Sequence, residues 1–335
     1  MRRFRAQRNR SLDPRRQGSG HRGEITRTRA VRNEAIQTMQ SNIHIALVGL
    51  GLMGSALANR LIAAGMPVMG FDPESDRRDA LERNGGHPAS LKDLAQQCDV
   101  LVLAVFDGSQ VESVFDILEP AAGAGHRPTV ICTTTCDPDD IDRIAARADR
   151  AGIAFVEAPI SGTSRDVRAG EASALVSGAA DVIERWTPLL TTLCPCIVPV
   201  GKIGDASRIK LAINLVLQSN RAALAEGIVF AETIGLDPAA FLSAVRASAA
   251  YSRVMDAKGE KMLQRDFRPQ SRIAQTLKDA ELIINEAQKH QLTLPMTSTQ
   301  AALLRQAIAL KGGECDSAAV IAAIEPSSET EGSTP

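Results

Sequence analysis

Aromatic side chains are scarce: one Trp, one Tyr and eight Phe in 335 residues, 3% of the chain. A surface that grips single-stranded nucleic acid by stacking its bases uses more than this. No apolar run approaches the roughly 20 residues of a membrane-spanning helix, and the first 30 residues lack the apolar core of a secretory signal. The six cysteines (98, 132, 136, 194, 196 and 315) are too sparse for a disulfide scaffold and contain no CxxC pair, so no metal site is expected. Without an export signal, reduced thiols and a cytoplasmic setting are expected.

Net charge is also nearly absent, at −1, but it is unevenly spread. Residues 1–42 carry 11 Arg against 3 acidic residues, a surplus of +8, and the rest of the chain balances it at −9. Such a body does not attract polyanions by net charge, and neither nucleic acid nor membrane is expected as its partner. Residues 1–42 read as a disordered basic arm. It suits a nucleic-acid or membrane-surface tail, an organelle transit peptide, or a non-native start, since Met39 lies just before the first strand.

From Ile43 the pattern changes. With 44% hydrophobic residues, the chain has enough apolar content for roughly two domains. Ile43–Val48, Pro67–Phe71, Val100–Val105, Thr129–Thr133 and Ile153–Ala158 are apolar runs fit for buried strands. Helices are expected at Ser55–Ala64, ended by Gly65, and at Asp76–Arg83, and two more strands flank a helix near Asp181–Leu193. This alternation predicts a parallel sheet covered on both faces, a Rossmann-type α/β domain over 43–203. From 204 to 325 the period is 3.6 throughout: Asp205–Ile234, Pro238–Ala249, Ser271–His290, Met296–Lys311 and a short Ser317–Ile324 make an all-helical half. Residues 326–335 read as a polar tail.

The strongest motif is IALVGLGLMG. Gly49, Gly51 and Gly54 fit G-x-G-x-x-G between a strand and a helix, so Gly49–Gly54, with Leu50, Leu52 and Met53, should cradle a pyrophosphate. Asp72 ends the second strand 18 residues past Gly54, where a carboxylate accepts hydrogen bonds from a ribose and repels a 2′-phosphate. NAD is therefore expected ahead of NADP, although Arg77 and Arg78 follow closely enough to serve a phosphate.

Two further stretches suggest chemistry. In Glu157–Gly178, Ser161-Gly162-Thr163-Ser164 places small residues and hydrogen-bond donors at a strand end, suited to a carboxylate or to an ordinary turn. Arg165 and Arg168 follow, as solvated charges or as further anion ligands. In Gly201–Asn220, Lys210 stands in an apolar helical stretch with Asn214 one turn later. A partly desolvated lysine titrates near neutrality and serves as acid or base.

With the late Phe267 and Lys278-Asp279, these segments resemble the β-hydroxyacid dehydrogenases, the group of 3-hydroxyisobutyrate dehydrogenase, tartronate semialdehyde reductase and L-threonate dehydrogenase, over about Ile43–Ile324. The resemblance implies a 6-phosphogluconate-dehydrogenase-like helical domain after the Rossmann domain and an NAD(P)-dependent oxidation of a small β-hydroxy acid in a homodimer or tetramer. It assigns acid/base catalysis to Lys210 and substrate binding to Asn214, Ser161, Gly162 and Thr163. It sets Val105 and Phe106 along the cofactor, Thr135 near the nicotinamide, and Lys278 closing over the cofactor. Departures from the family pattern are Glu157 for its Asp, Thr163 for its second Gly, Ile213 for its first Asn, and one lost Gly at Gly201–Gly204. A non-catalytic dinucleotide-binding module has no use for Lys210, and the imine reductases of the same fold usually lack it.

Overall fold

The computed structural model describes residues 43–326. The basic arm and residues 327–335 lie outside the described residues, and so do the expectations placed on them.

Strands β1 (Ile45–Val48), β4 (Val100–Leu103) and β5 (Thr129–Cys132) are buried at every position. Alternate side chains leave opposite faces of a strand, so IALV, VLVL and TVIC suit a sheet with no wet face. With β2 (Val68–Phe71), β3 (His87–Pro88), β6 (Phe155–Glu157), β7 (Ile160–Ser161), β8 (Ser173–Gly178) and β9 (Cys196–Pro199) they form one sheet. Its order is β3-β2-β1-β4-β5-β6-β8-β7, with β9 beside β8.

The first six strands are mutually parallel. Val48, Phe71, Leu103, Cys132 and Glu157 stand in one row across the sheet, so the loops after five strands emerge along a single edge. Beyond them the parallel pattern is broken, because β8 runs antiparallel to both β6 and β7. The helix between β7 and β8 has only six residues, about 9 Å of axis. That is too short to return the chain to the sheet's starting edge, as a parallel crossover requires.

Helices α1 (Leu52–Ala63), α2 (Ser75–Arg83), α3 (Leu91–Gln97), α4 (Gly108–Gly123), α5 (Pro138–Ala151), α6 (Ser164–Ala169) and α7 (Ala180–Leu193) accompany the sheet. Phe115 and Leu118 of α4 and Ile141 and Ile144 of α5 pack with Leu101, Leu103 and Val130. Each large side chain so buried contributes about 1.5–3 kcal/mol. Phe115 also meets Phe155 edge-to-face at 6.2 Å.

The rest is helical: α8 (Asp205–Thr233), α9 (Pro238–Arg246), α10 (Arg253–Leu263), α11 (Ile273–Lys289), α12 (Pro295–Lys311) and a closing 3₁₀ turn (Ser317–Ala323). Leu224, Ala225 and Ile228 of α8 share a core with Ile273, Ala280, Leu304 and Val320. Helix α9 stops three residues short of the expected Ala249. Helix α10 was hidden in the sequence by Gly259, which packs so closely that an added Cβ would lie 2.7 Å from a Leu242 methyl.

Candidate active site

A cleft of about 990 Å³ opens along the strand-end edge, and α8 supplies its opposite wall. On the sheet side the three motif glycines have three different jobs. Gly49 sits at φ +88°, where an added Cβ would lie 2.6 Å from the Ala104 carbonyl oxygen. Gly51 faces open space, with nothing within 4 Å of such a Cβ. Gly54 backs onto the turn, its hypothetical Cβ only 1.8 Å from the Gly49 oxygen. Helix α1 begins at Leu52 and Met53 in the cleft wall and has no side-chain cap. Its first N–H groups and positive dipole end are thus free for an anion. A dinucleotide pyrophosphate fits this cradle, where the backbone of Gly51, Leu52 and Met53 is available to hold it.

Two residues of the motif do not reach the cleft. Leu50 is buried away from it, and its N–H donates to Asp72 Oδ2 at 2.7 Å. Gly54 acts through close packing. Asp72 lines the cleft but is already engaged: besides Leu50 it accepts the Glu74 N–H at 3.0 Å and pairs with Arg77 at 3.2 Å. It therefore pins the glycine turn while its carboxylate lines the cleft. Arg77 lines the cleft beside it, whereas Arg78 folds back onto the Asp72 and Pro73 carbonyls.

On the opposite wall, α8 starts at Gly204 without a side-chain cap of its own. Glu157, at the end of β6, does that work from across the chain. Its fully buried carboxylate accepts the Gly204 N–H at 2.8 Å, the Ser207 N–H at 2.7 Å, and the hydroxyls of Ser177 and Ser207. An anion at a helix N-terminus is favoured by both the free N–H groups and the dipole.

One turn further on, Lys210 is buried in the cleft wall and makes no hydrogen bond or ion pair among the described residues. Burial pushes its ammonium down to about 8; the Asp279 carboxylate opposes the shift and Lys278 adds to it. Asn214 donates to Asp279 Oδ2 at 2.9 Å, which leaves its amide oxygen for the cleft.

Val105, Phe106 and Thr135 line the cleft. Val105 is fixed by its N–H to Thr134 Oγ1 at 3.1 Å. Lys278 is already engaged by the protein. Its ammonium donates to the carbonyls of Phe106 (3.2 Å) and Thr135 (2.5 Å), lies 3.1 Å from Asp279 Oδ1, and sits 5.7 Å from the Phe106 ring centre. It thus bridges the loops after β4 and β5 to α11.

Ser161 and Gly162 line the cleft, and the Ser161 hydroxyl has no partner among the described residues. Thr163 lines the cleft as well, with its donors engaged. Its N–H and hydroxyl both donate to Asp166, in a capping box that starts α6. Arg165 reaches the cleft wall while Arg168 stays exposed outside it. Sequence reading assigned no role to Glu157, Asp279, Arg221 or Lys258. The adjacent Lys278-Asp279 pair and the charges within apolar helical stretches were the available signals.

Among the described residues, three acids close enough to hold a cation are Asp137, Asp139 and Glu286. The Lys289 ammonium sits among them, at 2.9, 2.7 and 3.1 Å. No described helix is long and apolar enough to cross a membrane.

A sheet with a glycine turn at its carboxyl edge, faced by a buried lysine, defines an NAD(P)-dependent oxidoreductase. The NAD binding domain of 6-phosphogluconate dehydrogenase matches residues 44–201, and the NAD-binding domain of NADP-dependent 3-hydroxyisobutyrate dehydrogenase matches 204–324. The chain is 30% identical to 2-hydroxy-3-oxopropionate reductase of Escherichia coli, over 84% of this chain and 97% of that one. A crystal structure of 3-hydroxyisobutyrate dehydrogenase from Salmonella typhimurium superposes with TM-score 0.76 at 26% identity, covering 84% of this chain and 99% of that one. A protein solved with NADP⁺, Psf3, shares the fold at TM-score 0.76 and 24% identity, covering 84% of this chain and all of that one. The chain belongs to the β-hydroxyacid dehydrogenase family, enzymes that act on CH–OH groups with NAD or NADP.

Proposed function

We propose that the enzyme interconverts a small β-hydroxy acid, 3-hydroxyisobutyrate-like in its reacting part, and the matching carbonyl compound, with Lys210 as the acid/base. The observation that carries this is the burial of Lys210 in the cleft wall without a partner, its ammonium lowered to about 8. The hydride acceptor or donor is supplied by the bound nicotinamide. During oxidation neutral Lys210 takes the hydroxyl proton; during reduction its ammonium returns it. Asn214 orients the reacting oxygen and is itself held by Asp279. The Ser161 hydroxyl and the Gly162 backbone face the substrate carboxylate, with Thr163 shaping the turn. NAD is the preferred cofactor, and Arg77 keeps NADP within reach.

We further place the boundary between the cofactor-binding domain (43–203) and the helical substrate domain (204–325) at the glycine that opens α8. The six free cysteines suit a reducing cytoplasm. Val216, Phe230 and Ile234 stand exposed along α8 and suit burial in a homo-oligomer.

The test mixes the protein with NAD⁺ or NADP⁺ and a panel of β-hydroxy acids, following the reduced nicotinamide. No turnover by the intact protein would sink the proposal, and undiminished turnover in Lys210→Ala would remove Lys210 from it.

A further inference from the structure

Lys210 lies on a row of cleft-lining residues along α8. Positions 210, 214, 218 and 221 recur at helical spacing, and all four are buried and line the cleft. Lys210 and Asn214 face the reacting group. Gln218 is occupied, donating to the Thr276 carbonyl at 3.2 Å and accepting from Gln300 at 3.0 Å.

Arg221 is the exception. It is only 6% exposed, yet no carboxylate lies within ion-pair distance among the described residues. Its one hydrogen bond is a long contact of 3.4 Å to Thr276 Oγ1, and its Nε has no partner. The carboxylates that act on it are committed elsewhere. Asp316 holds Lys258 at 2.7 and 2.9 Å and accepts the N–H groups of Gln270 and Ala318. Asp279 holds Asn214 and Lys278. Across this buried wall three cations, Lys210, Arg221 and Lys258, face two anions, Asp279 and Asp316.

Burying a guanidinium is costly unless an anion compensates it. An arginine kept for packing alone is normally found paired and satisfied; this one lines the cleft with its Nε unpaired. Burial lowers it to about 10, so it remains charged at neutral pH.

We propose that Arg221 anchors a second anionic group of the substrate, so that the hydroxy acid used here carries a carboxylate or phosphate on a side arm remote from its hydroxyl-bearing carbon. This rests on the hydroxy-acid reading of the cleft. The planar guanidinium fork suits either anion through paired N–H bonds. The span is right for a side arm: Asn214 and Arg221 are seven residues apart, about 10 Å of helix axis. Helical side chains also lean toward the N-terminus, which brings the Arg221 head toward Asn214.

The kinetic test uses three β-hydroxy acids identical except for a side arm ending in methyl, carboxylate or phosphonate. At least tenfold higher kcat/KM is expected for one of the charged arms, and the favoured arm distinguishes carboxylate from phosphate. That preference collapses toward one in Arg221→Met and is partly kept in Arg221→Lys. Equal use of charged and methyl arms, or an unchanged preference in Arg221→Met, would overturn the proposal. Calorimetry with glutarate and adipate against butyrate, on protein saturated with reduced cofactor, reads the same preference without turnover. If no hydroxy acid reacts, the dehydrogenase reading fails, and the calorimetric difference between the intact protein and Arg221→Met still decides the role of Arg221.

Discussion

Glu157, at the end of a strand, and Ser207, in the first turn of α8, are joined through a buried carboxylate that accepts both the Ser207 N–H, at 2.7 Å, and its hydroxyl. Two other donors, the Gly204 N–H and the Ser177 hydroxyl, complete the cluster. An ionised carboxylate accepts from all four; a carboxamide turns an NH₂ toward some of them. Glu157→Gln should therefore cost about 2–4 kcal/mol, read as a lowered urea midpoint. Because Lys210 lies three residues past Ser207, kcat should fall as well.

Lys210 predicts opposite pH profiles for the two directions. With its folded-state value lowered to about 8, the base form grows above that pH and the acid form below it. Oxidation should rise as pH passes upward through about 8, and reduction should fall over the same interval. Lys210→Ala should reduce both by about 10²–10⁴-fold and flatten both profiles. A profile unchanged in the variant would assign the titration to another group.

The glycine turn offers two substitutions with different signatures. Gly54→Ala forces a methyl against the Gly49 carbonyl oxygen, 1.8 Å from the ideal Cβ position. It should cost at least about 1–3 kcal/mol and lower the Tm. Gly51→Ala meets no protein atom within 4 Å. Its Tm should stay near that of the parent while the cofactor Kd rises, because the methyl enters the space kept for the pyrophosphate. Thermal melts with and without cofactor separate the two.

Arg77 should influence the choice between cofactors. It is held by Asp72 at 3.2 Å, at the position a 2′-phosphate would approach. Arg77→Ala removes the cation and leaves Asp72 to repel that phosphate. The ratio of kcat/KM for NADP over NAD should fall about tenfold or more, the loss of one charge-assisted contact. A ratio that rises would mean that Arg77 instead obstructs the phosphate.

Much of this was legible in the chain because it rests on local chemistry. Gly49, Gly51 and Gly54 announce the turn by composition, IALV and VLVL announce buried strands, and Lys210 with Asn214 stands out as polar residues in an apolar helix. What escaped depends on partners distant in sequence. Glu157 caps a helix 47 residues away from Gly204 to Glu157 in the chain, and only the fold brings them together. The capping box by which Asp166 engages the Thr163 donors is a further feature that the sequence alone did not announce. Arg221 could not be told from a solvated arginine, since its character lies in burial without an ion-pair partner among the described residues. The antiparallel β8 was hidden because an apolar run carries no mark of direction.

Helix α8 is anchored at both ends, by Glu157 where it meets the sheet and by Leu224 and Ile228 in the helical core. With the proposed acid/base role of Lys210, the helix is a measuring rod, graduated in turns, whose origin is fixed near one end. A change of side chain further along the rod would then alter which substrate length fits and leave the origin where it was. On that reading, new specificity within this scaffold is reached by re-marking Arg221 rather than by rebuilding the site around Lys210.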